Sequence, residues 1–181
     1  MDHVSASPPI VDLDGRSRSR EATALKEEVL RLHEVFRPRL VRYVASMGVS
    51  FGDAEDIVQE TFLALFQHLV AGKPRTNLPG WIFRVAHRLA LKRRVSYRDR
   101  PAETCDVAST PDANAPSPED QVIFLQQQRR LRRIFLALPE MDRLCLQLRC
   151  EGLKYREIGG ILNISLGSVF NSLERSLNRL R

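Results

Sequence analysis

Residues 163–175, NISLGSVFNSLER, carry hydrogen-bonding groups at a spacing suited to nucleic acid rather than to bond-making chemistry. Asn163 tolerates the left-handed backbone of a tight turn, and Ser165 can accept hydrogen bonds from the free amides that open a helix. Val169, Leu173, Leu177 and Leu180 then recur at four, four and three residues, forming one apolar stripe. Gly167, Ser168, Phe170, Asn171, Ser172 and Arg175 are left off it. In the preceding segment, residues 155–162, Ile158 and Leu162 make the matching apolar face. Gly159 and Gly160 each cost about 1 kcal/mol against alanine in a helix interior, a cost expected where the second helix crosses closely over the first. An ordinary helical hairpin has similar periodicity. The small residue, turn and cap, however, fall at helix-turn-helix spacing, which points to DNA.

A second group of candidate residues is basic. Residues 80–94, GWIFRVAHRLALKRR, follow a Gly/Pro-containing loop over residues 70–79 and read as a helix with two unlike faces. Trp81, Ile82, Val85, Ala86 and Leu89 are assigned to the core, leaving Arg84, His87, Arg88, Lys92, Arg93 and Arg94 outward. Almost no acid is interleaved, so phosphate is a better partner for this face than water alone. A third group is acidic. Within DAEDIVQETFLALF, residues 53–66, Asp53 can cap a helix after a break at Gly52, and Asp53, Asp56, Gln59 and Glu60 share the polar side opposite Val58, Phe62, Leu65 and Phe66. Carboxylates at a helix start also suit the helix dipole, so this face is either a solvated start or a docking surface for a basic partner.

These groups need helices to hold them. The chain has 181 residues, 43% of them apolar, and a formal net charge of +6. Its charge is laid down in blocks: four acids and no base over 53–60, nine bases and one acid over 73–100, five acids and no base over 101–120, and eleven bases to five acids over 121–181. Two basic blocks on either side of an acidic stretch suggest two DNA-facing modules. Residues 101–120, PAETCDVASTPDANAPSPED, with four prolines and no aromatic or basic residue, read as a flexible linker between them. Residues 1–20 read as a disordered tail. Residues 21–100 form the first helical domain, with Pro38 expected to kink or split its opening helix. Residues 121–181 form the second, a four-helix domain of helices over 121–136 and 140–151 followed by the helix-turn-helix, with Gly152 ending the second of these. The fold class is all-α.

Several function classes are excluded. No apolar run approaches the ~20 residues of a membrane span, and the N-terminus has no secretory pattern, so a cytoplasmic protein with no membrane insertion is expected. Cys105, Cys145 and Cys150 lack zinc-ligand spacing and an even count; they read as reduced thiols, the latter two partly buried on a helix. No metal and no cofactor are implied. Neither a phosphate-binding glycine loop nor a nucleophile with its base is present, and His33, His68 and His87 stand apart from one another, so an enzyme is not expected.

With these residues in place, the chain over about 25–181 resembles the bacterial sigma-70 family, in particular its small two-domain extracytoplasmic-function (ECF) group. Three stretches carry the resemblance in order: DAEDIVQETFLALF, GWIFRVAHRLALKRR, and LPEMDRLCLQLRCEGLKYREIGGILNISLGSV. It implies that the first domain binds core RNA polymerase, through its largest and second-largest subunits, with Asp53, Asp56, Gln59 and Glu60. Arg84, His87, Arg88, Lys92 and Arg93 would face the minus-ten promoter element and hold the opened nontemplate strand. Ser165, Gly167, Ser168, Phe170, Asn171 and Arg175 would face the minus-thirty-five element. The linker would thread toward the polymerase active site, and an anti-sigma factor is a further expected partner.

The sequence departs from that pattern at three points. Phe170 stands where relatives usually carry Lys or Arg, Ser172 where another base is common, and Arg88 where Asn is common. The loop over 73–79 also lacks an aromatic often found there. A dimeric operator-binding regulator would explain the last thirty residues equally well, but not the acidic helix or the second basic one. An enzyme with an appended DNA-binding domain would need a catalytic constellation that the sequence does not contain.

Overall fold

The computed structural model describes residues 13–96 and 131–180, and among them all regular structure is helical. Helix α1 (Leu13–Ser46) begins inside the stretch read as a tail, of which residues 1–12 lie outside the described part. It also runs unbroken through Pro38. Pro38 and Glu34 are both exposed, so the Glu34 carbonyl that loses its helical donor can be served by water, and the helix need not split.

After Gly48, at φ 82°, helix α2 (Phe51–Val70) is capped by Ser50, whose Oγ accepts from the Asp53 amide at 3.2 Å. The cap is therefore Ser50 rather than Asp53, and Gly52 lies in the first turn instead of breaking the chain. The shift releases the Asp53 carboxylate from capping and lets it meet Arg93. Asn77, at φ 57°, starts helix α3 (Leu78–Ser96) by accepting from the Gly80 amide at 3.1 Å. The buried stripe of α3 is Ile82, Phe83, Ala86, His87 and Ala90, with Trp81, Val85 and Leu89 at its margin. Phe83 meets Tyr43 and Phe36 edge-on at centroid distances of 5.4 and 6.4 Å.

Residues 131–136 are helical, the described part of the helix expected over 121–136. Helix α4 (Glu140–Cys150) ends before Gly152, at φ 85°, and α5 (Tyr155–Leu162) and α6 (Leu166–Leu180) complete the second module. Residues 97–130, and with them the expected linker and Cys105, lie outside the described residues.

The two modules touch. Helix α4 lies on α1 and α5 lies on α3, and Leu144, Cys145, Leu148 and Ile158 belong to the same apolar cluster as Tyr43 and Phe83. Polar groups pin the seam. Ser46 donates to Gln147 at 2.6 Å, Arg143 donates to the Ser46 carbonyl at 3.3 Å, Arg39 grips the Glu151 carboxylate and carbonyl, and Arg94 pairs with Glu140.

The adjacent glycines of α5 answer to different neighbours. A Cβ at Gly159 would sit 2.9 Å from the Ile164 carbonyl oxygen and 3.8 Å from Val169 Cγ2, so the turn's backbone, more than the crossing helix, excludes a side chain there. At Gly160 it would meet not α6 but the Arg84 guanidinium, 3.1 Å away across the seam. Gly159→Ala must displace backbone and should destabilise the protein by about 1–3 kcal/mol. Gly160→Ala displaces only the end of a flexible side chain and should be neutral or stabilise by up to about 1 kcal/mol. Thermal unfolding of the two variants checks the contrast.

Candidate nucleic-acid interface

The turn between α5 and α6 is built by Asn163, at φ 55° and ψ 46°, while the Ile164 amide returns to the Gly159 carbonyl at 3.0 Å. Asparagine pays less than most residues for this conformation, and the bond satisfies a carbonyl at the helix end. Ser165 then accepts from the Ser168 amide at 3.1 Å and contacts its hydroxyl at 2.9 Å. Helix α6 thus starts with its first amides pointing outward beside Ser165, Gly167 and Ser168, with Gly167 and Ser168 exposed and Phe170 and Asn171 exposed one turn on. This is a surface on which backbone donors and small polar groups can approach phosphate and the major groove.

The inner face of α6 differs from the expected stripe. Val169 and Leu173 are buried, but so are Ser172 and Ser176, whereas Leu177 is 54% exposed. The serines face α4, where their small size admits Asp142: Ser176 Oγ lies 3.4 Å from the Asp142 carbonyl and donates to the Ser172 carbonyl at 2.8 Å. Ser172 is therefore an interior residue, and a base at that position would point into the module rather than toward phosphate.

Asp142 itself is buried and is met two-pronged by Arg175, Nη2 to Oδ1 at 2.7 Å and Nε to Oδ2 at 3.1 Å, with Nη2 also 3.1 Å from Ser172 Oγ. The guanidinium holds the Asp142 carboxyl below the usual aspartate range against the opposing effect of burial, with Ser172 assisting. Arg175 is raised by the same bond. Its side chain is nonetheless more than half exposed, so it is held in place at the edge of the outward surface. Near it, burial pushes the Cys145 thiol up, making it an inert core group, while Cys150 is exposed.

On α3, Arg84, Arg88 and Lys92 recur at intervals of four, a single line along the helix, with Arg84 and Lys92 exposed and Arg88 between them. The other two expected members are elsewhere. His87 is buried, its Nδ1 2.9 Å from the Tyr43 hydroxyl, and burial, helped by Arg94, lowers its pKa so that it is neutral at pH 7. A buried neutral imidazole is not a phosphate ligand, so His87 belongs to the core. Arg93 pairs with Asp53 at 2.7 Å, joining two residues assigned to different surfaces. Arg84 reaches over Gly160 of α5.

On α2, Asp56, Gln59 and Glu60 are exposed on one side, backed by buried Ile57, Val58 and Thr61. Glu55 is bound by Arg37 at 2.7 Å and stands outside this group. Leu63, 58% exposed, follows Gln59 by one turn and is an apolar side chain to which the sequence pattern assigns no role. Its one signal in the sequence is a leucine placed off the apolar stripe of its own helix.

Residues 32–100 match Sigma-70 region 2, and residues 128–180 match Sigma-70, region 4. The chain is 26% identical over 157 residues to the ECF RNA polymerase sigma factor SigW of Bacillus subtilis, covering 82% of this chain and 84% of that one. It is 31% identical over 159 residues to the ECF sigma factor SigE of Mycolicibacterium smegmatis, covering 86% of this chain and 60% of that one. With the ECF sigma-E factor of Escherichia coli it shares 27% over 159 residues, 79% of this chain and 83% of that one. The fold resembles that of CnrH, solved in complex with the cytosolic domain of CnrY, with a TM-score of 0.57, 20% identity and 90% of each chain covered. Two such regions on one helical chain define a transcription-initiation subunit of RNA polymerase. The chain belongs to the sigma-70 family and, within it, to the ECF sigma factors.

Because the folded pKa of Asp142 is depressed, the stability it contributes is present above the unfolded aspartate value, about 3.9, and is lost as pH falls through the lower folded value. Asp142→Asn should lower the melting temperature at pH 7 and flatten the acid limb of a stability–pH curve. An acid limb identical to that of the unaltered protein would show that Asp142 is not coupled to Arg175 in solution.

Proposed function

We propose that this sigma factor docks on core RNA polymerase through Asp56, Gln59 and Glu60 of α2, reads the minus-ten region with Arg84, Arg88 and Lys92 of α3, and reads the minus-thirty-five region with Ser165, Gly167, Ser168, Phe170, Asn171 and Arg175. The observation that carries this reading is the segregation of charge: an acidic patch on α2 and a cationic line on α3, each displayed on a rigid helix whose opposite face is core. Asp53 and Arg93, already paired, are assigned to holding α2 against α3 instead. The largest and second-largest polymerase subunits are the expected protein surfaces, and an anti-sigma factor a further partner. CnrH, solved with the cytosolic domain of CnrY, supports the latter by example. The protein is read as a non-catalytic subunit working in the cytoplasm. Among the described residues no helix is long and apolar enough to cross a membrane.

Simultaneous reading of both elements requires the modules to part. The two elements are about 25 base pairs apart, or about 85 Å at 3.4 Å per pair, whereas α3 and α5 are in contact. The connecting residues 97–130 can reach at most about 110 Å when fully extended, so the covalent chain permits the separation. The closed arrangement of the two modules is accordingly assigned to the free subunit.

Reconstitution with core polymerase tests the reading: specific initiation in a run-off assay is expected, and absence of core binding at micromolar concentration would overturn it. Asp56→Ala with Gln59→Ala should weaken core binding by about tenfold or more with an unchanged circular dichroism spectrum. Arg84→Ala with Arg88→Ala should instead spare core binding and reduce open-complex formation, measured by permanganate footprinting. In a protein whose Cys105 and Cys150 are replaced by serine, dyes at Gln67 and Asn178 should show high energy transfer in the free chain and low transfer in the promoter complex.

A further inference from the structure

Phe170 is a large apolar side chain turned to solvent. It is 53% exposed on the outward surface of α6, one turn after Leu166, itself 52% exposed, and with Leu177, 54% exposed, about two turns further on. Between Leu166 and Phe170 lies Gly167, which has no side chain to hold the helix away from a partner. Ser165 and Ser168 satisfy one another and the helix start beside it. The helix therefore presents an apolar shoulder continuous with the polar groups assigned to the promoter. An exposed benzyl group has no electrostatic attraction for a polyanion. The major groove offers only one apolar group of its own, the C5-methyl of thymine.

We propose that Phe170, with Leu166 behind it, reads a thymine methyl in the upstream promoter element, so that one contact made by α6 is apolar and base-specific. The inference rests on the assignment of α6 to the upstream element. It makes Phe170 a specificity-determining residue: cytosine lacks the methyl, and a purine presents its N7 acceptor in the groove instead. Two consequences separate it from a phosphate contact. Binding through Phe170 releases no counterion, so its contribution is insensitive to salt. It is also sensitive to a single methyl group, a change that leaves every hydrogen-bonding atom of the base pair in place.

The test uses holoenzyme assembled from the full chain and core polymerase. A preferred promoter is first selected from duplexes randomised over the upstream element, and each thymine there is then replaced singly by deoxyuridine. At one position, the loss of the methyl should weaken binding by about fourfold, the worth of one buried methyl group. Phe170→Ala should bind the thymine promoter about as weakly as the unaltered protein binds the deoxyuridine one, and should no longer distinguish the two. Phe170→Lys should lose the discrimination while steepening the salt dependence by about one counterion. Indifference of the unaltered holoenzyme to deoxyuridine at every position would overturn the proposal, as would discrimination that survives in Phe170→Ala. Either result would leave specific initiation intact, whereas failure to select any promoter would overturn the assignment of α6 itself. Phe170 is exposed and its replacement leaves the core untouched, which a melting curve of each variant verifies.

Discussion

Helix α4 is buried on two sides at once, and the rest of the molecule is arranged around that constraint. Leu144, Cys145 and Leu148 join the common apolar cluster, so α4 cannot leave its place without exposing core from both modules. At its first turn Asp142 fixes the recognition helix through Arg175, and further along Gln147 meets Ser46 of α1. One short element therefore sets the position of α6 within its own module and of that module on the other. The small serines on the facing side of α6 follow from the same requirement, because the buried Asp142 carboxylate must fit where larger apolar side chains would otherwise interlock.

The charges divide by what they meet. Arg37, Arg39, Arg75, Arg93 and Arg94 are all committed to carboxylates. Such pairs, part-exposed, contribute little stability each, but they fix the angle between helices and remove cations from the pool available to a polyanion. Arg84, Arg88 and Lys92 remain in line along α3.

Much of this is legible in the sequence because it depends on local chemistry. The Asn163 turn, the Ser165 cap, the stop at Gly152 and the all-helical class follow from residues acting on their immediate neighbours. What is not legible depends on distant partners. Periodicity assigns Leu177 to the core and Ser172 to solvent because it ranks side chains by hydrophobicity, whereas the room left by Asp142 decides the matter. A histidine between basic residues looks like one more outward cation, yet the place of His87 is set by Tyr43, forty-four residues earlier. Gly160 reads as part of the helix crossing, and only the fold reveals that its neighbour is Arg84. A proline-rich spacer suggests two modules but carries no information about whether their surfaces stick.

The position of Arg84 over α5 bears on how such a protein distributes itself in a cell. A chromosome offers millions of non-specific duplex sites to any chain with an open cationic groove, and a subunit held there is lost to polymerase. With the modules closed, the proposed reading of both elements at once is open only to the fraction of molecules whose modules have parted. Closure leaves Asp56, Gln59 and Glu60 exposed, and Arg84, itself exposed, lies beside Gly160 of α5. On the proposed assignment of these residues, the docking face stands ready in the closed subunit, whereas engagement of both promoter elements waits until the modules part.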